Sequence, residues 1–194
     1  MNDSLFTEIG SLFFNGNLRT EADLPDPESE EDTEATLTDK EYEAVSFVNT
    51  LTSLRFSGFG GNRIAFSIPE SEKVILFSRW GKEGDTFTSG KAANNHEVRL
   101  YTNLSESDLE IPLLPIEEWD NEGLWVVKPN ITPIPEESEE VKEKWEQYGS
   151  EELWDNIFPC SDHINMMDVT EANACMWNGE FTLFDYGTKP KEVE

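Results

Sequence analysis

Two cysteines and two histidines in 194 residues leave little room for sulfur or imidazole chemistry. Cys160 and Cys175 form no C-x-x-C pair and are too few for a disulfide framework. His96 and His163 are likewise too few for a zinc cluster. Basic residues are scarce as well, 14 against 41 acidic ones, so direct binding of nucleic acid through its phosphates is not expected. No long apolar run occurs, and no basic segment precedes an apolar stretch at the amino terminus. A signal peptide and a membrane helix are therefore not expected, no membrane partner is called for, and the expected location is the cytoplasm.

What remains is enough for a core. Hydrophobic residues make up 37% of the chain, with six Trp and twelve Phe. The length suits one ordinary domain or two small lobes. The net charge of −27 is the outlying property, and it is not confined to a tail. Acid runs lie between Glu21 and Glu43 and between Glu136 and Glu152, yet many carboxylates stand elsewhere. An acidic surface of this kind suits a cytoplasm of very high salt, where screening shortens self-repulsion. A second reading is a duplex-mimicking antagonist of a nucleic-acid enzyme, with carboxylates in the place of phosphates.

Along the chain, Leu5, Ile9, Leu12 and Phe13 recur at helical spacing and predict a short docking helix. "EADLPDPESEEDTEAT" is rich in Pro and acid and predicts a flexible linker. Ala44, Val45, Val48 and Leu51 mark one face of a second helix. Strands are expected at "SLRFSGF", "RIAFSI" and "KVILFSR", then a helix over "KAANNHEVRLYTNL". "IPLLPI" and "GLWVVK" read as two more strands joined by "EEWDNE". Val141, Trp145 and Tyr148 predict a helix ended by Gly149, and Ser150 would cap a further one carrying Leu153, Trp154 and Ile157. This order predicts an α+β, two-lobed fold.

The chemistry concentrates near the carboxyl end, in "MMDVTEANACMWNGEFTLFDYG". Asn178 followed by Gly179 is a strong hairpin signal, because both central positions need φ > 0. Symmetric pairing about that turn sets Trp177 against Glu180, Ala174 against Leu183 and Asn173 against Phe184. Asp185 then stands one residue beyond, at the same open mouth as Asn173. Two oxygen-bearing side chains in reach of one small object suit a hard cation such as Mg²⁺. Decorating Asp and Asn at a hairpin mouth are the plainer alternative.

Asp168 to Asn173 reads D-x-x-x-x-N, and Asp185 opens a D-aromatic-G triplet. This segment resembles the catalytic loop and metal triplet of the protein-kinase superfamily. "SGFGGNRIAF", residues 57–66, is similar to its glycine-rich loop, with Gly58 and Gly60 on the first two glycines and Arg63 on the third. Asn94 and Glu97 resemble the N-x-x-E element of the short kinase-like proteins of haloarchaea and tailed phages. The resemblance implies an antiparallel five-stranded N-lobe with one helix and a truncated, mostly helical C-lobe. It also implies Asp168 as catalytic base, Asn173 and Asp185 as Mg²⁺ ligands, and Gly58, Gly60, Arg63 and Glu97 at bound ATP.

Three features depart from the pattern. The strand lysine aligns with Leu76, while Lys73 and Arg79 lie an odd number of residues from it. Met166 and Met167 replace the usual H-R. Seven residues follow Gly187, so no activation segment is expected. The expected organisation is a helix and acidic linker over residues 1–37, an N-lobe over 38–129 and a C-lobe over 130–194. The expected function is ATP·Mg²⁺ binding in an interlobe cleft with possible transfer to a protein or small-molecule phosphate acceptor. A catalytically inactive pseudokinase, acting as an interaction module, stands beside it.

Overall fold

A computed structural model describes residues 3–15, 18, 37–83, 86–105, 113–131, 139–148 and 173–185. The expected acidic linker and the helix capped by Ser150 lie outside these residues. By contacts the chain divides into two units, the first being Met1–Asn95 with Glu117–Asn130, the second His96–Ile116 with Ile131–Glu194.

The first unit is built on a five-stranded antiparallel sheet. Its strands are β1 (Arg55–Phe59), β2 (Arg63–Ile68), β3 (Lys73–Ser78), β6 (Glu118–Trp119) and β7 (Trp125–Pro129), in the order β1-β2-β3-β7-β6. Period-2 alternation gives the sheet two distinct faces. Register places Ile64 against Phe77, Phe66 against Ile75, and Ile75 and Phe77 against Val127 and Trp125. These side chains are buried in one core. The opposite face carries Ala65, Leu76 and Val126 in one row, with Arg63 beside Ser78 at one end and Lys128 beside Val74 at the other.

Two helices pack further side chains into this core. Helix α1 (Asp3–Asn15) contributes Phe6, Ile9 and Phe13, spaced to fall on one stripe. Phe13 stands 5.9 Å from both Phe66 and Phe77, and Phe6 packs edge-on against Trp125 at 5.6 Å. Helix α2 (Asp39–Leu51) starts at a capping box, in which Thr38 Oγ1 accepts from the Glu41 N–H while Glu41 Oε2 accepts from the Thr38 N–H. Ala44, Val45 and Val48 are buried as expected. Leu51, expected on the same face, is instead 65% exposed at the end of the helix.

A small antiparallel hairpin, β4 (Trp80–Glu83) with β5 (Thr86–Ser89), escaped the sequence reading. Helix α3 (Gly90–Ser105) follows, and Leu100 is buried while Val98 and Tyr101 are half-buried. The strand expected at "IPLLPI" is not formed among its described residues. Leu113 makes one parallel bridge to Leu183, and pairing resumes at β6, inside the expected connection. Pro115 explains this, since proline lacks the N–H that a ladder requires.

The second unit has α4 (Glu139–Tyr148) and a hairpin of β8 (Ala174–Trp177) and β9 (Glu180–Leu183). Val141 of α4 is buried and Trp145 stands 6.4 Å from Phe181. The α+β class with its antiparallel five-stranded sheet is therefore the observed one. Among the described residues no helix is long and apolar enough to cross a membrane.

Candidate functional site

The β8–β9 hairpin has the expected register, with Trp177 opposite Glu180 and Ala174 opposite Leu183. Its turn residues carry φ of 53° at Asn178 and 82° at Gly179, the combination a two-residue hairpin loop needs. The Phe184 N–H donates to the Asn173 carbonyl at 2.9 Å, so pairing extends one step past the strands. Asn173 and Asp185 consequently stand at the same open end, both half-buried. Ala174, Cys175, Phe181, Thr182 and Leu183 are buried along the hairpin, and the Leu114 N–H donates to the Leu183 carbonyl at 2.8 Å. Cys175 is a core residue whose thiol pKa is pushed up by burial, which disfavours the nucleophilic thiolate.

One amide oxygen and one carboxylate are a donor set of the type Mg²⁺ accepts, since that ion keeps waters and substrate phosphates in its shell. Among the described residues no group of three His, Cys, Asp or Glu side chains gathers at one point. Asp168, Tyr186 and Gly187 lie outside the described residues.

Gly58, Gly60 and Arg63 occur together in the first unit, around the β1–β2 turn. A bulge at Ser57 shifts the register between Phe56 and Gly58. The Gly60 N–H donates to the Arg63 carbonyl at 2.9 Å. Arg79, just past β3 and fully buried, then binds the turn from the inside. Its Nε donates to the Gly60 carbonyl at 3.1 Å and its backbone N–H to the Asn62 carbonyl at 2.9 Å. Its Nη1 meets both carboxylate oxygens of buried Glu41 at 3.1 Å, and its guanidinium lies 5.3 Å from the Phe59 ring centre. Gly90 donates to the Arg79 carbonyl, and a Cβ there would come within 2.2 Å of the Asn62 carbonyl oxygen.

These contacts decide the fate of the two cations nearest Leu76. Arg79 is committed to Glu41 and the turn. Lys73 forms a partly exposed ion pair with Glu117, and that hydrogen bond raises its pKa, with desolvation opposing it. The buried lysine on the Leu76 face is Lys128 of β7, 2% exposed. Sequence reading passed over it by seeking the cation on β3. It also passed over Glu41, which reads as an ordinary capping residue until Arg79 arrives beside it.

On α3, Asn94 is fully buried. Its Nδ2 donates to Ser78 Oγ at 2.9 Å and to the Gly123 carbonyl at 3.0 Å, while Ser78 Oγ donates to that carbonyl at 2.5 Å. Glu97, one turn further, is also fully buried, so it is not a solvated helix charge. Neighbouring His96 has its pKa lowered by burial and by Arg99, with a smaller opposing effect of Glu97.

No family model matches the chain, and a search of curated proteins returns no match. Among solved structures the chain is similar to the gentamicin complex of APH(2″)-IIa, with 14% identity and a TM-score of 0.40. That similarity covers 78% of this chain and 70% of the other.

Proposed function

We propose that this is a kinase-like protein that binds a nucleotide with Mg²⁺. The observation that carries this reading is the hairpin register, which brings Asn173 and Asp185 of a D-x-x-x-x-N…D-Y-G pattern to one end of one hairpin. In this proposal Asn173 and Asp185 hold the metal, which neutralises charge on the nucleotide's phosphates. The kinase resemblance implies the glycine-rich turn with Arg63 and the Glu97 carboxylate of α3 as further nucleotide-binding residues. Ala65, Leu76 and Val126 form an apolar row of the kind a base packs on. Asp168 is the proposed base that accepts a proton from the phosphate acceptor, a protein or a small molecule.

A second reading has its own observation. Leu76 occupies the position the resemblance gives to the strand lysine. Arg79 and Lys73 are committed to Glu41 and Glu117, and the lysine on that face, Lys128, belongs to another strand, beside Val74. A protein that binds nucleotide without transferring phosphate follows from that loss. The acidic composition suits a high-salt cytoplasm, so the test belongs in molar KCl. Calorimetry of ATP with and without Mg²⁺ is expected to show metal-dependent affinity. Asp185→Ala is expected to weaken it by about tenfold or more. Affinity unchanged by Asp185→Ala would remove the metal assignment. Asp168→Asn is expected to abolish turnover by about a hundredfold or more with binding intact. Absence of turnover in the unaltered chain would leave the non-catalytic reading.

A further inference from the structure

We infer that Arg79, held by Glu41, is a positioning residue that orients one backbone donor of the glycine-rich turn toward an anion. The inference rests on the nucleotide-binding reading above and names the atom that would meet the phosphates: the Gly61 N–H.

The peptide unit is planar and trans, so its C=O and N–H point in opposite directions. The Gly60 carbonyl is drawn inward by Arg79 Nε at 3.1 Å. The Gly61 N–H of the same peptide must therefore face outward, where Gly61 is exposed. By contrast, the Gly60 N–H is already donated to the Arg63 carbonyl. Residue-pattern matching points to Gly60, whereas the hydrogen bonding points to its neighbour.

Glycine at positions 60 and 61 is not demanded by crowding, because a Cβ at either would meet nothing within 4 Å. The absent side chains leave the outer side of the turn bare, as close approach of a ligand to backbone requires. Nor is the Glu41–Arg79 pair easily explained as a stabiliser. A buried ion pair can often be replaced by apolar residues without loss, because desolvation offsets the attraction. What an apolar pair could not reproduce is the directed grip of a planar fork with donors on Nε and Nη1.

The test is a titration of the ¹⁵N-labelled full chain with sodium tripolyphosphate, and separately with Mg·ATP, in molar KCl. The Gly61 amide is expected to shift downfield while the Gly60 amide, already bonded, moves little. Arg79→Lys and Glu41→Gln are each expected to weaken the response by about tenfold, the scale of one charge-assisted hydrogen bond. Glutamine keeps the capping acceptor at the third helical position, so α2 retains its start. A purely structural pair would lower thermal stability and leave the affinity of the folded protein unchanged. A purely electrostatic effect would make Glu41→Gln bind more tightly, since it removes a negative charge beside Arg79. Either result overturns the positioning role, as does a silent Gly61 amide in an unaltered chain that binds Mg·ATP. Should Arg79→Lys fail to fold, the Gly61 response and Glu41→Gln still decide. Absence of Mg·ATP affinity in the unaltered chain is a different failure: the nucleotide reading falls, and this role with it.

Discussion

Two tight turns in this chain are made in opposite ways. The β8–β9 turn is local: Asn178 and Gly179 take positive φ by themselves, and nothing lies within 4 Å of a Cβ placed on Gly179. The β1–β2 turn is held from a distance by Glu41, Arg79 and Gly90, residues 38 apart in the first pair. A turn that meets its own conformational needs is set by two residues. A turn whose carbonyls are claimed by a buried cation is set by the whole unit around it. The proposed metal ligands depend on the first kind and the proposed phosphate donor on the second.

The sharpest way to break this contrast is to unpair the buried cation. Glu41→Leu leaves Arg79 without its carboxylate inside the sheet unit, and a loss of about 4 kcal/mol is expected. The double substitution Glu41→Leu with Arg79→Met is expected to recover most of it, since no charge is then stranded. Urea unfolding followed by tryptophan fluorescence measures both. Equal losses in single and double variants would show that the pair contributes stability in its own right.

Glycine substitutions probe the same contrast with smaller effects. Gly90→Ala drives a methyl into the Asn62 carbonyl and the Arg79 backbone, and about 2–3 kcal/mol is expected from such overpacking. Gly179→Ala meets no atoms but keeps φ near 82°, which costs an L-residue about 1 kcal/mol. Gly61→Ala is expected to stay within about 0.5 kcal/mol, as for an open surface site. A reversal of the order Gly90, Gly179, Gly61 in denaturant midpoints would contradict the two mechanisms.

The same division governs what could be read before folding. The hairpin register was legible down to the Asn173–Phe184 pair because an Asn-Gly loop leaves only one symmetric pairing. Strands β2 and β3 were legible because β-branched and aromatic residues alternate between turn signals. The "IPLLPI" strand failed since apolarity outweighed its two prolines, and the β4–β5 hairpin was hidden by charge and small polar residues. Leu51 shows that periodicity cannot say where the partner surface ends. By sequence position alone, Arg79 reads only as a stand-in for the strand lysine. Its true neighbours, Glu41 and the Gly60 carbonyl, come from distant sequence, and no local pattern announces such a meeting.

Acid separates the units most gently. In the first, the Lys73 pKa is raised, but this partly exposed ammonium stays protonated in both states at acid pH, so acid does not touch that shift. In the second, His96 is half-buried and its folded pKa lies below the ordinary value of 6.5, first because of desolvation and then because of Arg99. Below pH 6.5 the unfolded chain therefore binds more protons at this position than the folded one, and stability falls with pH. The loss continues down to the folded pKa and then levels off, whereas above 6.5 the histidine is neutral in both states. His96→Gln is expected to flatten this part of the profile while leaving stability near pH 8 almost unchanged. The check is the difference between the two proteins' unfolding free energies at several pH values from 8 to 5. A difference that stays constant across that range would mean that the imidazole titrates alike in both states, and that α3 does not shield it.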